Sequence, residues 1–203
     1  MRICDLGHTK FVSKHRARVL SSHLAALIPQ NSHILDVGCG DGLIDKSLIM
    51  MRPDLSIQGI DVLVRDKINF PVKPFDGRQI PFQDSSFEFV VLIDVLHHLV
   101  DPSGLLREAI RVSSRAVLIK DHVLKGILAA PILRFMDRIG NLRYAVSLPY
   151  TYWPQQRWLR TFETLGVKLA WWNQSLGLYP WPANLVFERS LHFMARLDKD
   201  EPK

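Results

Sequence analysis

The stretch Ile34-Leu35-Asp36-Val37-Gly38-Cys39-Gly40-Asp41-Gly42 constrains this chain more than any other. It opens as an apolar run of strand length and then breaks into three glycines at alternate positions. Leu43 to Ile49 follows with a helical pattern. A strand, a glycine-rich turn and a helix make a cradle for a nucleotide-like ligand. The glycines let the backbone approach the ligand without an intervening Cβ, and the helix start offers unpaired N–H groups. The plain alternative, an ordinary strand-to-helix turn, needs only one glycine. The spacing separates ligand classes. Dinucleotide sites read G-x-G-x-x-G, whereas here the glycines give G-x-G-x-G, flanked by Asp36 and Asp41. Carboxylates suit a ligand with an ammonium group better than one with a pyrophosphate, so a nicotinamide dehydrogenase is the weakest reading.

The segment Asp36 to Gly42 resembles motif I of the class I S-adenosylmethionine (SAM)-dependent methyltransferases. Three further segments continue the resemblance in order: Ile57-Gln58-Gly59-Ile60-Asp61, Asp76-Gly77-Arg78-Gln79-Ile80-Pro81-Phe82, and Asp94-Val95-Leu96-His97-His98-Leu99. It covers about half the chain, from Leu20 to His122. It implies an α/β fold with a Rossmann-like doubly wound sheet of seven strands, mostly parallel with an antiparallel last strand. It also implies SAM as the cofactor. Asp36, Gly38, Gly40 and Gly42 would form the turn against it, and Asp61 would hold the ribose hydroxyls. Val62 would pack on the adenine face, with Asp76 and Gly77 at the adenine amino group and ring nitrogen. Asp94 would face the methionine end. His97 or His98 would approach the methyl acceptor, although a histidine beside a strand is more often structural. Asp121 and His122 follow the fifth strand, where open α/β sheets bind ligands. They are candidates for a base or an acceptor clamp, against the plainer reading of a loop cap and a surface histidine.

The other elements fit the same frame. Val12, Val19, Leu20, Leu24 and Leu27 recur at near-helical spacing, predicting a leading helix over about 10–27 that Pro29 ends. Phe89 to Ile93 is a continuous apolar run, as expected of a central parallel strand. The prolines at 71 and 74 put the third strand at an edge. Strand five is expected over Ala116–Ile119. A helix-like run from Val123 to Ile139 is interrupted by Pro131, and an aromatic loop covers 147–153. Pro154 and Gly166 bound a further helix, and Val167–Trp172 and Leu191–Leu197 read as two closing strands. Trp171 and Trp172 should face opposite sides. Arg65 is open to two readings, a helix cap or a ligand contact, of which the structural role is favoured.

At 203 residues the chain is read as one methyltransferase domain, 1–203, with a SAM-binding core over 10–122 and acceptor-site insertions and closing elements over 123–190. Cys4 and Cys39 suggest no disulfide framework, and Cys39 reads as a small packing residue. No signal pattern or apolar run of about 18 residues is present, so a cytoplasmic chain without a transmembrane helix is expected. The net charge of +6 would suit an anionic partner, but the basic residues are scattered. Nucleic acid is therefore possible but not favoured over a small-molecule acceptor. The tetrapeptide of exocyclic-amine DNA methyltransferases is missing after strand four, neither cysteine is placed as a cytosine-C5 nucleophile, and no Cys/His cluster has zinc spacing, so no metal is expected. A non-catalytic SAM-binding partner or regulatory subunit and an RNA methyltransferase are the alternatives. The oligomeric state is not legible.

Overall fold

A computed structural model describes residues 4–141 and 149–199; Ser147 and Leu148, read as the start of the aromatic loop, lie outside them. Seven strands form one sheet: β1 (His33–Val37), β2 (Ser56–Asp61), β3 (Val72–Pro74), β4 (Phe87–Ile93), β5 (Ser113–His122), β6 (Lys168–Asn173) and β7 (His192–Asp198). Their order is β3-β2-β1-β4-β5-β7-β6. Every described pairing is parallel except those of β7, which runs antiparallel to both β5 and β6. The last strand in the chain is thus the antiparallel one, and it is inserted between β5 and β6. The edge position read for the third strand holds.

Alternation along the strands divides the interior in two. One layer takes Leu35, Val37, Val90, Leu92, Val117, Ile119, Phe193 and Leu197. The other takes Ile34, Phe89, Val91, Ile93, Leu118 and Met194. Helices cover both. On the first layer lie α3 (Pro102–Val112), through Leu105, Leu106, Ala109 and Val112, and α5 (Gln155–Thr164), through Trp158 and Phe162. On the second lie α1 (Cys4–Leu27), through Leu20 and Leu24, and α2 (Leu43–Met51), through Leu48. Trp171 packs into the second layer and Trp172 into the first, as their neighbouring positions require. The Arg52-Pro53-Asp54 stop does more than end α2. The Arg52 guanidinium donates to the carbonyls of Ala25, Ile28 and Pro29, satisfying acceptors around the end of α1.

Helix α1 starts at Cys4, ahead of the expected 10, and two further differences bear on the site. First, β5 runs ten residues to His122, because β7 pairs along it to the His122–His192 position. Lys120, Asp121 and His122 are therefore strand residues, not a trailing loop. Second, Val123–Leu128 is not helical: Val123 bridges to Trp153, and Gly126 takes φ 86°. Helix α4 (Ala129–Asn141) begins afterwards, with Pro131 in its first turn, where a missing N–H costs nothing. A short helix, α6 (Asn184–Phe187), lies in the connector before β7. Among the described residues, no helix is long and apolar enough to cross a membrane.

Candidate active site

The carboxyl ends of β1, β2, β4 and β5 open on one cavity of about 820 Å³. Its position is the switch point of the sheet, where β1 and β4 are neighbours and the chain leaves them in opposite directions. A smaller cavity of about 400 Å³, between Val123–Lys125 and Pro154–Leu159, is lined by no carboxylate or histidine.

One end of the main cavity is built from the glycine turn. The N–H groups of Gly38 and Cys39 donate to the Ile60 carbonyl at 2.8 and 3.2 Å. Gly40 N–H donates to Asp61 Oδ2 at 2.7 Å, and Leu63 N–H to Asp61 Oδ1 at 2.9 Å. Each Asp61 oxygen thus keeps one lone pair beyond its backbone contact. Gly38, at φ 79°, cannot carry a Cβ, which would lie 2.4 Å from Val95 Cγ2. Gly42 serves a different neighbour. It does not line the cavity, and its missing Cβ makes room for Phe70, 2.5 Å away. Val62 lines the cavity while 61% exposed, and its Cγ1 lies where a Cβ on Gly77 would sit, 2.8 Å off. Asp76 Oδ1 accepts from the N–H groups of Arg78 and Gln79 at 2.8 and 2.9 Å, and these bonds lower its pKa. Arg65 packs its guanidinium against Gly40. Burial pushes the Cys39 thiol pKa far up, and its sulfur packs on Gly59, consistent with a packing residue.

Asp36 lies beneath this turn, hydrogen-bonded to Asp45. Burial, reinforced by the neighbouring carboxylates, raises Asp36 well above the ordinary range. Burial likewise lifts Asp45 to about 6. Asp36 Oδ1 is buried without a hydrogen-bond partner and its residue lines the cavity. An unpaired buried carboxyl oxygen, in a turn rich in acidic groups, and a glycine face without Cβ fit a cationic, nucleoside-bearing ligand such as SAM.

The other end is a side-chain cluster drawn from distant parts of the chain. Asp94, at φ 56°, accepts from Arg16 Nη2 at 2.7 Å and makes a close contact with Lys120 Nζ. Burial alone would raise Asp94, but Lys120 and Arg16 hold it well below the usual range. The expected methionine-end carboxylate is therefore already paired with two cations of the chain. His97 and His98 form a single 3-10 turn after Asp94. His97 is buried with Nδ1 on Asp121 Oδ1 at 2.7 Å and Nε2 3.5 Å from Asp137 Oδ2. Burial opposes its charge, yet Asp121 and Asp137 hold it up to about 10. Asp121 also accepts from the N–H groups of Leu96 (3.0 Å) and His122 (2.7 Å), which makes it the fixed post of the cluster. His98 lines the cavity, and burial, then the charge on His97, depresses it to about 4. His122 Nδ1 lies 3.1 Å from His192 Nδ1, while its Nε2 is 3.4 Å from Asp137 Oδ1 and 3.8 Å from Asp94 Oδ1. Burial and the nearby His97 lower the His122 pKa. Tyr152 donates its hydroxyl to Asp137.

The structure thus brings every proposed residue except Gly42 and Asp121 to the cavity wall, and Asp121 stands directly behind it. Arg16, Lys120, Asp137, Tyr152 and His192 were not singled out from the sequence. Lys120 had a legible signal, lying two residues before His122 and hence on its strand face. Asp137 had a weaker one, as the one acid in α4, four residues after the buried Leu133.

Comparisons with known proteins agree with this geometry. A family profile described as a methyltransferase domain matches residues 35–117. The chain is 28% identical over 111 residues to 27-O-demethylrifamycin SV methyltransferase of Amycolatopsis mediterranei, which takes in 46% of this chain and 39% of that protein's length. It is 25% identical over 212 residues to an uncharacterized methyltransferase of Schizosaccharomyces pombe, covering 90% of this chain and 76% of the relative. Among solved structures, the putative methyltransferase of Haloferax volcanii, in complex with the Trm112 methyltransferase activator, superposes with a TM-score of 0.67 at 16% identity, covering 95% of this chain and 93% of that one. From the glycine turn, the sheet order and these matches, the chain is similar to the class I SAM-dependent methyltransferases, in sequence over residues 35–117 and in fold over nearly its whole length.

Proposed function

We propose that this chain transfers a methyl group from SAM to a small-molecule acceptor held at the Asp94–His98–His122 end of the cavity. One observation carries the reading: a single cavity runs from Gly38, Asp61 and Asp76 to His98, His122, Asp137 and Tyr179. A protein that only held the cofactor would need no second half. When bound, SAM supplies a methyl carbon on a positively charged sulfur; an acceptor lone pair attacks that carbon and the C–S electron pair stays on sulfur, leaving S-adenosylhomocysteine.

The chain's own residues then have separable tasks. Asp61 takes the ribose hydroxyls with its remaining lone pairs. Val62 and Gly77 flank the base, and Asp76 accepts from its amino group. Asp36 offers its unpaired oxygen to the positive end of the cofactor. At the far end, Leu105, Met136 and Tyr179 supply apolar wall that orients an acceptor and excludes water. His98 is neutral and placed to hydrogen-bond an acceptor hydroxyl. His97 has both ring nitrogens engaged by carboxylates, so it positions rather than accepts a proton.

The test is calorimetry with SAM, S-adenosylhomocysteine and NAD on the folded protein, with Asp61→Ala alongside. Binding of the first two, weakened about 10- to 100-fold in the variant, supports the reading. Binding of NAD in their place, or no binding at all, overturns it.

A further inference from the structure

We propose that the acceptor end of the cavity is a site for a divalent transition-metal ion, ligated by His97 Nε2, His122 Nε2 and an Asp94 carboxylate oxygen, with the Asp137 carboxylate as an additional donor. The role given to the ion rests on the methyltransferase reading; its binding does not.

The spacing is that of a coordination shell. One ligand atom each from Asp94, His97 and His122 lie within 4.8 Å of one another. His122 Nε2 stands 3.4 Å from Asp137 Oδ1 and 3.8 Å from Asp94 Oδ1, and His97 Nε2 stands 3.5 Å from Asp137 Oδ2. These distances are long for hydrogen bonds. They match donors that share one ion at about 2.1 Å, which sit roughly 3–4 Å from each other.

The groups behind the ligands point the same way. His97 turns Nδ1 to the buried Asp121, the carboxylate–histidine pairing that orients metal-bound imidazoles. The donors around His122 can be followed in order. His192 Nε2 is 2.9 Å from the Phe187 carbonyl, which only accepts, so the His192 hydrogen is on Nε2. Neutral His192 then presents Nδ1 as an acceptor to both Lys120 Nζ at 3.3 Å and His122 Nδ1 at 3.1 Å, and the His122 tautomer that complements it carries its hydrogen on Nδ1. His122 Nε2 is left with a bare lone pair facing carboxylate oxygens of Asp137 and Asp94. His97 Nε2 carries a proton in the empty site, held there by Asp121 and Asp137, so the ion would bind by displacing that proton.

The donor set selects the ion. Two imidazoles with carboxylates suit Zn²⁺, Co²⁺, Mn²⁺ or Fe²⁺, whereas Mg²⁺ and Ca²⁺ take oxygen shells. Asp94, His97, His122 and Asp137 all line the cavity, so the remaining coordination positions face the acceptor. Lys120 and Arg16 also hold Asp94. They compete for its charge, which makes the ion exchangeable. Its task would be to bind an acceptor oxygen and ease loss of its proton to solvent, a task for which no side chain of the site is free and well matched.

The probe is Co²⁺ alone, added to metal-stripped wild type, His122→Ala and Asp121→Asn, and followed by visible d–d absorbance and calorimetry. Circular dichroism and S-adenosylhomocysteine binding report whether each variant is folded. One equivalent of Co²⁺ should bind to wild type, displaced by Zn²⁺ but not by Mg²⁺. Binding should be lost in His122→Ala and weakened about 10- to 100-fold in Asp121→Asn. Absence of stoichiometric Co²⁺ binding to folded wild type, or unchanged binding in folded His122→Ala, overturns the site. Co²⁺ binding without SAM binding keeps the site and removes only its proposed role.

Discussion

The two ends of the cavity are built on opposite principles. The glycine-turn end is largely backbone: N–H groups, carbonyls and missing Cβ atoms fixed by one local stretch, with Asp61 bonded to that backbone. The far end is side chains, with Arg16 from α1, Lys120 and Asp121 from β5, Asp137 from α4 and His192 from β7 meeting around Asp94, His97 and His122. The first holds its shape because the strands hold it. The second holds its shape because its charges satisfy one another, so it is where single substitutions should cost most.

Asp121→Ala breaks that mutual satisfaction most completely. It strands a buried imidazolium and leaves the Leu96 and His122 N–H groups without an acceptor. The expected loss is about 3–5 kcal/mol in urea unfolding. Lys120→Met is milder, about 2 kcal/mol, because Arg16 remains on Asp94. Costs below 0.5 kcal/mol for both would show that the cluster does not support the fold.

The glycine-turn end has its own weak point, and pH exposes it. Asp45 is raised from 3.8 to about 6, first by burial. The folded chain therefore holds this proton more tightly than the unfolded chain does. Stability falls as pH rises from about 4 through about 6 and stays lower above that. Asp45→Asn should gain about 1–3 kcal/mol near pH 8 and less near pH 5, read from unfolding curves at the two values. An equal effect at both would contradict the burial-raised pKa of Asp45. Smallest of all is Arg16→Met: this partly exposed pair with Asp94 should change stability by less than about 1 kcal/mol.

The same contrast explains what could be read from the sequence. Asp36, Gly38, Gly40, Asp61, Asp76 and Gly77 stand in short contiguous motifs, because backbone geometry is encoded locally. Strand β4 was legible because burial on both faces leaves a continuous apolar run. His192 was not legible and Asp137 only faintly so, since nothing near them in the chain tells that β5 lies alongside. Even β5 itself was read too short, because its charged end is kept in the sheet by β7, some seventy residues later. Asp94 was read as facing the methionine end, and its pairing with Lys120 and Arg16 was missed for the same reason: both cations come from elsewhere.

The most direct test of the one-cavity account is a crystal structure with S-adenosylhomocysteine bound. The account predicts the ribose on Asp61, the base between Val62 and Gly77 with its amino group toward Asp76, and the sulfur directed toward His98 and His122. A ligand seated elsewhere, or one whose sulfur points away from the His98–His122 end, would contradict it.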